Sequence, residues 1–482
     1  MVFDLKEYDL IAIGTGSALA VVSSMMQDNP NMKVAIIDKD EPGGICLTRG
    51  CIPSKILLYS AELKMDIERA DKFGLDVELK KIDFSKVMER MRSLINVEIS
   101  MIREGLSHAK DLDYYPNKAE FNAPYTLKVG DEIIKSQMIF LCTGSKPLIP
   151  KIKGLENTGY LTSDTVLELT KLPRSIAIVG GGYISAEYGH FLSAMGAEVT
   201  IVGRNPAILP DEEPEVSALV KKELQKHMRV ITNHEVLEVS TVSEDAKRVI
   251  AVNRETGETL EIVAQEILVA AGRGANADIL HPERAGIRTD KEGWILVNEF
   301  LETTQPGVWA FGDADGKFPF KHVANHEAQL VYYNAVEKKG VKVDYHAVPH
   351  AVFTYPEVAS VGFGEKEAIA KYGAEKVLIG VQRYEDTAKG EAMAVKDYFC
   401  KVIVERDTLR ILGAHIVGPQ ASVLIQEIVN LMNTHEQSAL PVMRAMHIHP
   451  ALSEVVAKAF ESMMTPEQYH HVMEKHFGLL TT

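Results

Sequence analysis

The chain has 482 residues, 46% hydrophobic and 25% charged, an ordinary composition for a globular protein of two to four domains. Its 67 acidic and 52 basic residues leave a net charge of −15, which disfavours broad binding to nucleic acid or an anionic membrane, although a local patch can still hold a phosphate. No run reaches the roughly 18 uncharged apolar residues of a membrane span, and Met1-Val2-Phe3-Asp4-Leu5-Lys6 leads into a strand without the regions of a secretion signal, so a cytoplasmic protein is expected.

The first predicted strand, Tyr8-Asp9-Leu10-Ile11-Ala12-Ile13, breaks into Gly14-Thr15-Gly16. A helix-capable run from Ser17 to Gln27 and a second strand, Lys33-Val34-Ala35-Ile36-Ile37-Asp38, complete the order that a dinucleotide fingerprint requires. Gly14 and Gly16 let the backbone approach a pyrophosphate, and the helix N-terminus offers unpaired N–H groups to it. Asp38, 24 residues beyond Gly14 (38 − 14), is expected at ribose hydroxyls. Leu19 occupies the third glycine position, a departure from the pattern.

Next comes Gly43-Gly44-Ile45-Cys46-Leu47-Thr48-Arg49-Gly50-Cys51-Ile52-Pro53-Ser54-Lys55, which holds two of the four cysteines and runs into a turn-to-helix signal. A zinc site needs about four ligands, and Cys142 and Cys400 have no clustered partner, so no metal is expected. A secreted disulfide framework does not fit so long a chain with so few cysteines. The segment reads as a redox-active dithiol beside a dinucleotide.

The strand-to-loop run Phe140-Leu141-Cys142-Thr143-Gly144-Ser145-Lys146-Pro147 follows, then a second fingerprint. Here Arg174 to Val179 leads into Gly180-Gly181-Gly182-Tyr183-Ile184-Ser185-Ala186-Glu187, a helix, and the strand Glu198-Val199-Thr200-Ile201-Val202. Small Ser185 stands at the third position. The strand ends in Gly203-Arg204-Asn205, with no acidic residue to hold a free 2′-hydroxyl, which tilts the nucleotide toward NADPH. Ala270-Ala271-Gly272-Arg273 and Val308-Trp309-Ala310-Phe311-Gly312-Asp313 are further strand-to-loop runs. From about Tyr345 short strands, such as Lys401 to Val404 and Ile411 to Ile416, alternate with helices such as Ala421 to Thr434. In His447-Ile448-His449-Pro450-Ala451-Leu452-Ser453-Glu454, Pro450 suits a first helical turn, so His449 is expected just before a helix and Glu454 within its early turns. A histidine with a carboxylate partner can carry protons between thiols near neutral pH.

The dithiol segment has the form GGxCxxxGCxPSK and resembles that of the flavin-containing pyridine nucleotide-disulfide oxidoreductases, a likeness that extends over nearly the whole chain and fades after about Phe460. The resemblance implies an α/β fold with two Rossmann-like dinucleotide-binding domains, for FAD and NAD(P), and a C-terminal α+β dimerisation domain. The implied divisions are 1–150 (FAD-binding, with the redox disulfide), 151–275 (NAD(P)-binding), 276–344 (FAD-binding return segment) and 345–482 (dimerisation). Implied cofactor contacts are Gly14, Gly16, Asp38, Gly44, Thr143, Gly144, Gly180, Gly182, Arg204, Gly272, Gly312 and Asp313. Cys51 is the implied flavin-side thiol, Cys46 the interchange thiol, and His449 the acid–base oriented by Glu454. Lys55 is expected near the flavin, paired with Glu187. Cys142, where the family commonly has alanine, is expected to be a small buried residue and not a third redox centre. In this family the histidine pair reaches the dithiol of the opposite subunit, which implies a homodimer.

Two branches of the family compete on substrate. The ending His447-x-His449-Pro450 with Leu452-Ser453-Glu454 looks like dihydrolipoamide dehydrogenase, the first reading, with a lipoyl dithiol as substrate. Lys321-His322-Val323-Ala324-Asn325-His326-Glu327-Ala328, Gly413 to Ile416 with Gln420-Ala421-Ser422, and His449 to Leu452 look like mycothione reductase, an NADPH-driven reductase of a small disulfide. A flavin NAD(P)H oxidase or transhydrogenase is the remote alternative, and the paired cysteines argue against it. Mercuric reductase does not fit, because no cysteine pair ends the chain.

Overall fold

A computed structural model describes residues 5–477; residues 1–4 and 478–482 lie outside it, and with them the opening Met1 to Asp4 of the N-terminal reading. Five parallel strands form the first sheet, in the order Val308–Ala310, Ile139–Leu141, Leu10–Ile13, Val34–Ile37, Leu112–Tyr115. The strands Leu10–Ile13 and Val34–Ile37 are buried at every position, as an uninterrupted apolar run must be when both faces of a parallel sheet are covered. The helix Ala18–Asp28 turns Ala18, Val21, Val22 and Met25 inward. Leu19 sits half-buried at the flank of that cluster, so fully buried Ala18 packs in the core beside Leu10 and Ala12, and the missing glycine is accommodated.

The second sheet repeats the plan with Leu161–Thr162, Glu266–Val269, Ser175–Val179, Glu198–Val202 and Arg229–Ile231, again all parallel. Two short strands between the sheets, Ser145–Pro147 and Arg273–Ala275, pair antiparallel and bind the two crossings together. The third sheet is antiparallel, in the order Pro349–Val352, Val358–Gly362, Ile411–Val417, Phe399–Glu405, Val377–Arg383. Helix Ala421–Met432 covers it with Leu424, Ile425, Ile428 and Met432, a helical-period apolar face.

A buried ionic cluster joins the second unit to the third. Lys401 is 0% exposed, and its Nζ lies 2.5 Å from Glu213 Oε2, 2.5 Å from Glu215 Oε1 and 2.8 Å from Glu365 Oε2. The Tyr469 hydroxyl, from the last helix Pro466–Phe477, donates to Glu215 at 2.5 Å. Among the described residues no helix is long and apolar enough to cross a membrane.

Candidate active site

One cleft gathers most of the residues that the sequence singles out: Gly14, Gly16, Asp38, Gly44, Cys46, Cys51, Lys55, Thr143, Gly144, Glu187, Gly312 and Asp313 all line it. Its floor is built by backbone approaching backbone. A Cβ on Gly14, at φ +109°, would stand 2.1 Å from the Cys142 carbonyl oxygen, and one on Gly44 would stand 2.5 Å from Gly16 Cα. These glycines are steric requirements of the fold, and they leave the cleft wall bare of side chains. Asp38 Oδ2 accepts the Thr15 N–H at 2.9 Å and the Thr15 hydroxyl at 2.5 Å, so this carboxylate also orders the first glycine turn. Thr143 Oγ1 is buried with no protein hydrogen-bond partner. An orphaned hydroxyl beside a glycine-walled cleft at a helix N-terminus fits an elongated polar group such as a dinucleotide.

Cys46 lies in the short helix Gly44–Thr48 and Cys51 is the first residue of the helix Cys51–Glu68. Both thiols are free and hydrogen-bond each other. That bond, with Lys55 one helical turn on, brings the Cys51 thiol down to about 7 against the opposing pull of burial. The same bond, and then burial, pushes Cys46 up. A thiolate at Cys51 also gains from the helix N-terminus on which it stands. The pair is therefore asymmetric, with Cys51 the more acidic thiol and Cys46 the one that holds its proton.

Lys55 reaches across to the second fold, where its Nζ donates to Glu187 Oε1 and Oε2 at 2.9 and 2.8 Å. Glu187 is 5% exposed, on the helix Tyr183–Met195, and its Oε1 also accepts the Phe353 N–H at 3.0 Å. Three units thus meet at one carboxylate. Opposite them, Ser145 Oγ donates to Asp313 Oδ2 and accepts from Arg273 Nε, each at 2.5 Å, while Asn276 donates to the Thr143 carbonyl at 3.0 Å. Lys321 Nζ donates to Ser17 Oγ at 2.9 Å. In the sequence Ser145, Asn276 and Lys321 carry no distinguishing signal of their own; only the runs Phe140 to Pro147 and Lys321 to Ala328 point to the neighbourhood of Ser145 and Lys321. Cys142 borders the cleft with its thiol pushed up by burial.

The second fingerprint closes on itself as the first does. A Cβ on Gly180, at φ +136°, would stand 2.1 Å from the Ala270 carbonyl oxygen, and buried Ser185 Oγ donates to that same oxygen at 3.3 Å. Gly182 directly precedes the helix, Gly272 at φ +117° opens the return crossing, and Arg204 is exposed at the strand end. Among the described residues no carboxylate pairs with the Arg204 guanidinium, whose backbone oxygen accepts from Arg254 at 3.2 Å.

The structure does not bring His449 into this cleft. Its ring is 70% exposed and its Nδ1 lies 3.0 Å from Glu454 Oε1; that bond holds the Glu454 carboxyl below its usual range. Met446 and Ile448 beside it are 100% and 79% exposed. One expectation is corrected. Pro450 is not in the first helical turn, because the helix runs Ser453–Glu461 and His449-Pro450 is a cis peptide in the preceding turn. That turn is held by Glu454, which accepts the Ala451 N–H at 3.3 Å.

Residues 8–329 match the family model described as pyridine nucleotide-disulphide oxidoreductase, and residues 348–460 match that of the corresponding dimerisation domain. The chain is 34% identical over 474 residues to mycothione reductase of Mycobacterium tuberculosis, across 94% of this chain and 99% of the relative. Dihydrolipoyl dehydrogenase of Bacillus subtilis is 32% identical over 470 residues, across 94% of this chain and 97% of the relative. Among solved structures, the Cu(II) complex of the HOCl-induced flavoprotein disulfide reductase RclA from Escherichia coli matches with a TM-score of 0.83 at 26% identity, over 95% of this chain and 99% of that one.

Proposed function

The chain belongs to the pyridine nucleotide-disulphide oxidoreductase family, whose members use FAD and NAD(P)H, and from that premise we propose that it passes electrons between NAD(P)(H) and a dithiol/disulfide substrate through Cys46 and Cys51. The observation that carries this reading is the asymmetric thiol pair in the glycine-walled cleft, braced by Lys55–Glu187. Gly14, Gly16, Asp38, Gly44, Thr143, Gly144, Gly312 and Asp313 would hold FAD, which when bound supplies the two-electron carrier between nicotinamide and dithiol. Gly180, Gly182, Arg204 and Gly272 would receive the nicotinamide nucleotide. The expected divisions 1–150, 151–275, 276–344 and 345–482 are part of the proposal, as are a homodimer and a cytoplasmic location.

In the reducing direction, Cys46 gives its proton to the partner's His449 and attacks one sulfur of the substrate disulfide. The substrate S–S bond breaks, a mixed disulfide with Cys46 forms, and the leaving sulfur takes the proton back from the imidazole. The Cys51 thiolate then attacks Cys46 Sγ, expels the second substrate thiolate, which takes a proton from water, and closes the Cys46–Cys51 bond. Two electrons have left the dithiol for the substrate. Oxidation of a dithiol runs the same steps in reverse, the direction being set by relative potentials. Glu454 holds the Nδ1 proton of His449 and leaves Nε2 free to act. Burial makes the Lys55–Glu187 pair costly to form, so its role is to align the two folds on the cleft.

For the substrate, dihydrolipoamide is the first reading. Exposed Ile52 beside Cys51, with exposed Met446 and Ile448 beside His449, suits the hydrocarbon arm of a lipoyl group. A second reading, an NADPH-driven reductase of a small intracellular disulfide, is favoured by the unpaired Arg204 at a strand end without an acidic residue. Anaerobic mixing of the oxidised protein with dihydrolipoamide discriminates them. Prompt growth of the long-wavelength thiolate–flavin absorbance supports the dehydrogenase. Absence of that band with dihydrolipoamide, and prompt growth with NADPH, supports the reductase.

A further inference from the structure

Glu327 takes no part in the thiol relay, yet it is 1% exposed on the helix Lys321–Ala335. Its Oε2 accepts the Gly312 N–H at 2.6 Å and its Oε1 accepts the Tyr345 hydroxyl at 2.5 Å. Gly312 opens the tight turn Gly312–Ala314, and a Cβ there would stand 2.9 Å from Ala324 Cβ on the Glu327 helix. The turn therefore lies directly on that helix, and among the described residues the carboxylate is the only side-chain hydrogen bond at Gly312. Next in sequence is Asp313, which faces the cleft through Ser145. A second carboxyl, Asp315, is buried against the same site; its Oδ2 has no hydrogen-bond partner, and Lys317 Nζ is 3.9 Å away.

We propose that Glu327 positions the Gly312–Asp313 turn to receive the flavin, and that Glu327 carries a proton whose loss loosens flavin binding. The inference rests on the reading that this cleft binds FAD. Two neighbouring buried carboxyls with one half-exposed ammonium beside them cannot both be ionised cheaply. Burial, and then Asp315, push Glu327 up to about 7, and burial pushes Asp315 up as well. The groups that act on Glu327 are Asp315 just after the turn, Lys317 beyond it and Tyr345, while Cys142, next to the first-sheet strand Ile139–Leu141, feels the charges of both Glu327 and Lys321. Of the two ammonium groups, Lys321 is already bound to Ser17, and Lys317 opposes only part of the negative charge. Covering the turn with a cofactor that bears two phosphates removes water and adds negative field, so binding draws in a proton. By linkage, affinity is then highest where Glu327 is protonated and falls as pH rises through about 7.

The test is FAD release from the purified holoprotein, followed by the fluorescence of freed flavin between about pH 6 and about pH 9. In the unmodified protein the FAD Kd should rise above neutrality, with a limit of about tenfold per pH unit for one proton. Glu327→Gln keeps an acceptor for the Gly312 N–H, so it should bind FAD at high pH and lose the slope. Glu327→Leu strands that N–H and should bind FAD about tenfold more weakly than Glu327→Gln, with the same loss of slope. A flat profile in the unmodified protein, or an undiminished slope in Glu327→Gln, overturns the proposal. Should Glu327→Leu fail to fold, the Glu327→Gln profile decides alone. A protein that binds no FAD at any pH refutes the flavin reading itself. Amide hydrogen exchange at Gly312, slow in the unmodified chain and fast in Glu327→Leu, tests the positioning role without the cofactor, and equal exchange rates overturn it.

Discussion

Replacing Cys46 by alanine and by serine should separate the Cys51 thiolate from the rest of the relay. The hydrogen bond from Cys46 is the largest of the effects that bring Cys51 down to about 7 from an ordinary 9.0, ahead of Lys55, while burial works the other way. Alanine removes the donor and leaves burial in force, so Cys51 should return to about 9; serine keeps a donor and should hold it lower. At neutral pH that change takes the thiolate fraction from about one half to about one in a hundred, roughly 50-fold. Alkylation would understate it, because the more basic thiolate is more nucleophilic, and a Brønsted slope of about 0.4–0.5 recovers roughly six- to tenfold. The ultraviolet absorbance of the thiolate, titrated against pH, reads the ionisation directly. Cys142 and Cys400 stay silent there, since burial pushes both thiols up. Cys51 opens onto the cleft, so water screens part of the effect and a separation of about one pH unit between the two variants is the least expected. Coincident titrations would refute the assignment of the acidity to Cys46.

Three other perturbations follow from the same geometry. Lys55→Met leaves the 6%-exposed Glu187 side chain without its cation, and because Lys55 is itself 34% exposed the loss should be about 2–3 kcal/mol, below the about 3–5 kcal/mol of a fully buried pair; Lys55→Met/Glu187→Met should recover most of it in urea unfolding, and a double variant no more stable than the single contradicts this. Lys401→Met strands three buried carboxylates and should cost at least about 3–5 kcal/mol. In the native cluster burial is the largest influence on Glu215 and raises it, but Lys401, with help from the Tyr469 hydroxyl, holds it below its usual range. Without that cation the folded-state carboxyls shift upward, so stability should be present at low pH and lost as pH rises; a Tm for Lys401→Met that does not climb on acidification from about pH 8 to about pH 6 refutes the point. Arg204→Ala should lower kcat/KM for NADPH about ten- to hundredfold, the worth of a charged hydrogen bond, and leave NADH within about twofold; equal losses with both nucleotides would contradict the role given to Arg204.

The two parallel sheets were legible because their strands are short apolar runs that end in glycine turns, and local composition suffices for that. The dithiol was legible because Cys46, Cys51 and Lys55 lie within one segment. The His449–Glu454 contact also follows from short spacing, although the helix start does not: Pro450 suits a first turn in isolation, and only the capping of Ala451 by Glu454 reveals that the helix begins later. What stayed hidden depends on contacts distant in sequence. Ser145 bridges Arg273 and Asp313, and Lys401 meets Glu213, Glu215 and Glu365 across 188, 186 and 36 positions. No periodicity links such residues. Glu327 is the clearest case, an ordinary helical glutamate by composition whose partners, Gly312 and Tyr345, are supplied by the folded chain alone.

In the proposed relay Cys46 and Cys51 exchange two electrons with substrate while Cys142 and Cys400 do not. Counting thiols in the denatured protein, before and after one equivalent of NAD(P)H under anaerobic conditions, tests it most directly. With four cysteines in the chain, two titratable thiols are expected in the oxidised protein and four after reduction, the new pair mapping to Cys46 and Cys51. Four thiols in both states, or a count that reduction leaves unchanged, would contradict it.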